Sequence, residues 1–121
     1  MDMSTLQNDF DPVALVVDWL DACRRRNIDA LLDLYAPNAT LECGCGEEKS
    51  CEGRVGLEAY WRPRLAAFSP NAFELEEIAS SADGVVLDYL SFDGKPVRIA
   101  FTFDGSGKIR QSRCAPMARP V

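Results

Sequence analysis

At 121 residues the chain is long enough for one domain with a real core and too short for two. Its 47% hydrophobic and 26% charged residues are ordinary for a globular protein, and a net charge of −6 disfavours nucleic-acid duplexes and anionic membrane surfaces as partners. Histidine is absent, which excludes a Ser-His-Asp triad, a Cys-His pair and any His-ligated zinc, and leaves acid–base chemistry to Asp, Glu, Tyr, Lys or Cys.

Residues 1–10 lack periodicity and read as a loose leader, with no basic segment followed by an apolar one. The longest aliphatic run, 13–17, is too short to span a bilayer, so a cytoplasmic protein is expected. Asp11 followed by Pro12 is a paired helix-start signal. Val13, Val16, Val17, Leu20 and Cys23 recur at helical spacing, with Leu15 and Trp19 widening the apolar face. Arg24-Arg25-Arg26 closes that helix, where cations complement the macrodipole; a phosphate site is the alternative reading. Asn27 breaks the run, and a second helix over 28–35 is stopped by Pro37. A third is expected over 56–68, with Pro63 kinking it. From residue 73 the period changes to two. Strands are predicted over 73–81, 85–92, 96–103 and 108–115, and the short Asp-Gly turns between them make an antiparallel meander. Residues 116–121 read as a tail.

Helix, helix, then Leu34-Tyr35-Ala36-Pro37-Asn38-Ala39-Thr40-Leu41-Glu42, a further helix and a long meander resemble, across about residues 11–115, the nuclear transport factor 2-like superfamily. Ketosteroid isomerases, scytalone dehydratase and polyketide cyclases belong to it. The resemblance implies a single α+β domain over 1–121: a cone, with N-terminal helices packed on a curved antiparallel sheet and a small-molecule pocket between. The isomerases' catalytic groups are not carried over. Their general base falls on Cys43, their helix tyrosine on Trp19 and their protonated aspartate on Ile99. Steroid isomerisation by that mechanism is not expected.

A two-residue Asp93-Gly94 turn would pair Phe92 with Lys95 and set Asp88 opposite Ile99, Val86 opposite Phe101 and Leu90 opposite Val97. Pairing Phe103 with Lys108 would set Ile99 opposite Ser112 and Val97 opposite Cys114. The resemblance puts position 99 on the concave side. The expected pocket is then Val86, Asp88, Leu90, Val97, Ile99, Phe101, Ser112 and Cys114 from the sheet, closed by Trp19, Tyr35, Cys43, Tyr60 and Trp61. A one-residue slip would reverse the faces. Trp19 and Trp61 also read as plain core residues. Asp88, as a carboxylate in an apolar cavity, is a candidate acid–base catalyst; pairing with an arginine or pointing outward is its other reading. The opposite face, Val85, Leu87, Tyr89, Ala100, Thr102, Ile109 and Gln111, would be apolar enough to make a homodimer.

Five cysteines complete the inventory. Cys43, Cys45 and Cys51 form a compact group, with Cys114 brought near by the fold and Cys23 on the first helix. The spacing does not match a thiolate zinc site, so no metal and no cofactor are expected. Buried reduced thiols are one reading, and a reactive Cys43 in the position of the isomerases' base is the other. The functions left open are three. One is an isomerase, dehydratase or cyclase acting on an apolar ring-bearing substrate through Asp88. The others are a non-catalytic ligand-binding or protein-interaction module, and a thiol or metal site at Cys43, Cys45 and Cys51.

Overall fold

The structure is a computed structural model that describes residues 10–44 and 49–117. The expected leader and tail therefore fall mostly outside the described residues, as does Cys45. Helix α1 spans Pro12–Arg24, and the Asp11 carboxylate caps it by accepting from the Val13 and Ala14 amides at 3.1 and 3.2 Å. Arg26, at φ 58°, turns the chain out of α1. Asn27 caps helix α2, Ile28–Asp33, by accepting from the Ala30 amide.

The three arginines are fastened to the protein rather than grouped for an anion. Arg24 Nε donates to the Phe73 carbonyl at 3.0 Å, Arg25 pairs with Asp21, and Arg26 reaches the Ala66 carbonyl with its guanidinium over the Phe68 ring. Helix α3 spans Gly53–Ala66 and runs past Pro63 for a last turn.

Strand β1, Tyr35–Cys43, takes up the last residue expected of the second helix and accommodates Pro37 at a register irregularity. Strand β2, Lys49–Glu52, was not anticipated. Strands β3 (Leu75–Ser80), β4 (Gly84–Leu90), β5 (Pro96–Phe103) and β6 (Ile109–Pro116) form the meander. The six-stranded order is β2-β1-β6-β5-β4-β3, so the sheet is mixed: β1 lies parallel to β6 and every other pair is antiparallel. The helices pack on one face. Between the layers sits an aromatic interior in which Trp19 meets Trp61, Tyr89 and Phe101 edge-on at centroid distances of 5.2–5.5 Å.

The register of β4 on β5 corrects the expected one. The turn is a three-residue loop, 92–94: Ser91 N bonds Lys95 O, and Gly94 takes φ 78°. A type I turn closed by a left-handed glycine bulges the hairpin by one residue. Leu87 therefore pairs with Ile99, Tyr89 with Val97 and Asp88 with Arg98. One residue of slip moves every β4 side chain to the other face. Val85, Leu87 and Tyr89 point into the core, while Val86, Asp88 and Leu90 alternate onto the outer face. On β6 the slip is two residues, so Ile99 pairs with Cys114 and Phe101 with Ser112. An even slip preserves the faces, and Ser112 and Cys114 point inward.

The outer face is consequently polar. Of the seven residues expected to make it apolar, Val85, Leu87, Tyr89 and Ile109 are core residues. Its surface instead carries Glu42 paired with Arg113, and Asp88 paired with Arg98. The physical basis for an apolar dimer face is absent there.

Candidate functional site

Asp88 does not line the interior. Its two carboxylate oxygens accept from Arg98 Nε at 2.7 Å and Nη2 at 2.9 Å, a bidentate fork on the outer sheet face. Asp88 is only 6% exposed, whereas the Arg98 side chain is 58% exposed. Val86 and Leu90 accompany it. The remaining ten expected pocket residues do face the space between helices and sheet, at two depths.

The outer level is an open pocket of about 310 Å3. Cys43 ends β1, Cys114 lies near the end of β6, and Tyr60, Trp61 and Arg64 come from one face of α3. Tyr89 closes the sheet side, and Ser91, Phe92, Asp93 and Lys95 of the β4–β5 turn, with Pro116, make the rim. Tyr60 hydrogen-bonds Cys43; burial first and then that bond raise the Tyr60 hydroxyl far above the ordinary phenol range. The Arg64 guanidinium stacks 3.7 Å from the Tyr60 ring centroid and donates to the Tyr60 carbonyl. Tyr89 is likewise raised by burial, with Cys114 and Cys23 adding to the effect. Tyr89 and the turn residues were missed from the sequence; reading Gly94 as the bulge of a three-residue loop would have found Tyr89.

The inner level is a polar nest inside the aromatic core. Trp19 Nε1 donates to the Tyr35 hydroxyl at 3.1 Å, and burial pushes that hydroxyl up to about 12. Trp61 Nε1 and Ser112 Oγ lie near enough to the same hydroxyl to favour its ionised form. Neither makes a hydrogen bond of ordinary geometry, although Trp61 is 3% exposed and Ser112 0%. Trp61 belongs to both levels, as a wall of the pocket and as a donor at the nest.

Among the described residues the pocket lining holds one carboxylate, Asp93 at the rim. Among the described residues no group of three or more Cys, Asp or Glu is placed to hold a metal ion, and no helix is long and apolar enough to cross a membrane. Cys51 pairs across from Leu41 on β2, one strand out from Cys43, and Cys23 is fully buried on α1 with its thiol raised by burial.

A family profile described as the SnoaL-like domain matches residues 16–111, most of the chain. The chain belongs to the SnoaL-like family. Its architecture recurs in solved structures of low sequence identity. A SnoaL-like protein of unknown function from Burkholderia thailandensis superposes with TM-score 0.70 at 21% identity, covering 85% of this chain and 92% of that one. A steroid delta-isomerase from Pseudomonas aeruginosa gives 0.64 at 23%, covering 90% and 80%. An epoxide hydrolase/cyclase-like enzyme, SalBIII, gives 0.66 at 22%, covering 89% and 92%. At these identities the likeness is one of fold. No curated protein matches the sequence. Within this shared cone, the SnoaL-like chain keeps an aromatic interior and places the buried Asp88 carboxylate, with its exposed partner Arg98, on the opposite side of the sheet.

Proposed function

We propose that this SnoaL-like protein binds a small, flat, ring-bearing molecule through an acceptor oxygen, without carboxylate acid–base chemistry. One observation carries the reading: two buried polar groups, Trp61 Nε1 and Ser112 Oγ, lie beside the Tyr35 hydroxyl without a hydrogen bond of ordinary geometry. An unsatisfied buried polar group costs about 1–3 kcal/mol, so two of them in an otherwise apolar core call for a guest. The indole N–H can only donate, and the Tyr35 oxygen, which already accepts from Trp19, has one lone pair left for the two of them. The group that fits is therefore an acceptor, such as a ketone or phenolate oxygen. The pocket of about 310 Å3 lies at the lower end of the ligand-site range of about 300–1,000 Å3 and suits two fused rings. Trp61, a wall of this pocket and a neighbour of the Tyr35 hydroxyl, is where the pocket meets the nest.

The steroid isomerase and the cyclase-like enzyme sharing this fold support a ring-bearing class of ligand. The placement of Asp88 argues against an isomerase, dehydratase or cyclase driven by that residue. The test is a matched pair of probes titrated by tryptophan fluorescence: 2-acetylnaphthalene and 2-ethylnaphthalene, alike in shape and differing in the oxygen. The ketone should bind about fivefold tighter, the worth of one net hydrogen bond of about 1 kcal/mol. Equal affinities would remove the acceptor site, and failure of both to bind would remove the pocket reading altogether.

A further inference from the structure

The sheet sets two cysteines side by side. Cys43 and Cys114 are directly paired residues on the parallel strands β1 and β6. Both project to the inner face, in step with Leu41 and Ser112, and both line the mouth pocket with 9% and 8% exposure. We propose that Cys43 and Cys114 form a two-thiol site that is oxidised reversibly to a disulfide by hydroperoxides. This rests on strand register and is independent of the ligand reading above.

Neighbouring strands lie about 4.8 Å apart, inside the range of about 4.4–6.8 Å between Cα atoms that a disulfide accepts. The Cβ separation follows the strand spacing, whereas a relaxed disulfide brings Cβ atoms to about 3.8 Å, so closure must draw the strand ends together. The place permits it. β1 ends at Cys43, Gly44 follows, and its amide already holds the Cys114 carbonyl at 2.8 Å. A bond made against such a pull is easily reduced, which makes the site a reversible one rather than a structural staple.

The competing partners among the described residues are badly placed. Cys51 sits opposite Leu41, diagonal to Cys43 on an antiparallel pair, and diagonal neighbours are about 7–8 Å apart, beyond the reach of a disulfide. Cys23 is buried on α1.

The chemistry is complete with one named co-reactant. One thiol, as its thiolate, attacks the peroxide oxygen; the O–O bond breaks, an S–O bond forms and an alcohol or water leaves. The second thiol attacks the sulfenic sulfur, the S–S bond forms and water leaves with its proton. Two electrons pass from the sulfurs to the peroxide, and a dithiol reductant reverses the change. Closure withdraws Cys43 from its hydrogen bond with Tyr60, so the pocket wall changes with redox state.

The decisive experiment needs no variant. The full chain, treated with hydrogen peroxide and then alkylated, is digested and mapped by mass spectrometry, before and after dithiothreitol. The expected result is a linked peptide pair, Cys43 with Cys114, that forms in the monomeric chain and disappears on reduction. Cys114→Ser should abolish the pair, and Cys51→Ser should leave it intact. Linkage of Cys43 to Cys45 or Cys51 would overturn the proposal. So would oxidation of Cys43 to sulfinic acid without linkage, or both thiols remaining alkylatable at peroxide levels that oxidise dithiothreitol itself.

Discussion

Replacing Tyr35 by phenylalanine keeps the ring and removes the oxygen on which the inner nest is built. Trp19 Nε1 then loses its acceptor, 3.1 Å away in the native protein. Trp19 is 0% exposed and Tyr35 5%, so bulk water does not fill the gap. The lost bond is worth about 1 kcal/mol, and the newly orphaned indole donor costs about 1–3 kcal/mol. A loss of about 2–4 kcal/mol follows, equivalent to a fall in melting temperature of roughly 8–16 °C for a chain of this size. Urea unfolding followed by tryptophan fluorescence measures it, with an unchanged denaturant slope showing that the fold is retained.

A pH series makes the same change sharper. The Tyr35 hydroxyl is raised from 10.0 to about 12 by burial. Its contribution is therefore whole below pH 10, because both states hold the proton there, and is lost as pH rises from 10 to 12, where the unfolded chain releases it first. Tyr60 and Tyr89 are raised in the same direction, so native stability should fall steeply in alkali. Tyr35→Phe should flatten that fall by about one proton, or about 1.4 kcal/mol per pH unit. A stability loss below about 0.5 kcal/mol at neutral pH, with an unaltered alkaline slope, would refute the account of the nest.

The outer-face ion pair should respond unequally to loss of its two members. Arg98→Ala strands a carboxylate that is 6% exposed, whereas Asp88→Asn leaves a guanidinium already open to water; thermal unfolding should show the arginine variant as the weaker. Neither change should alter binding of 2-acetylnaphthalene, and a loss of binding in Asp88→Asn alone would return that residue to the pocket. Gly94→Ala places a β-carbon at φ 78° and within 2.7 Å of Asn71 Oδ1. The side chain can yield but the left-handed backbone cannot, so a loss of about 1–2 kcal/mol is expected by urea unfolding; an unaffected variant would mean that the three-residue turn is not what holds the β4–β5 register.

Local signals in the sequence were sufficient for the elements themselves. The Asp11-Pro12 cap and the helical spacing through Cys23 are settled by residues a few positions apart and the structure keeps them, whereas the strand expected from residue 73 begins at Leu75, after Phe73 at φ 61°. The order of those elements was enough to recognise the cone and, through it, the family. The inner faces of β5 and β6 were also legible, because an error of two residues in pairing returns each side chain to the same side. What the tertiary structure decided was the β4 register. Phe92-Asp93-Gly94-Lys95 is compatible with a two- or a three-residue loop, and the choice lies in the backbone angle of one glycine, which packing of Tyr89, Leu87 and Val85 against Trp19 and the core selects. That single residue of offset exchanged Asp88 for Tyr89 in the interior. The parallel pairing of β1 with β6 was also out of reach of local reading, since no turn joins the two strands. Only the assembled sheet and helices bring Cys43 beside Cys114 and converge Tyr35, Trp61 and Ser112, residues far apart in the chain, on one buried point.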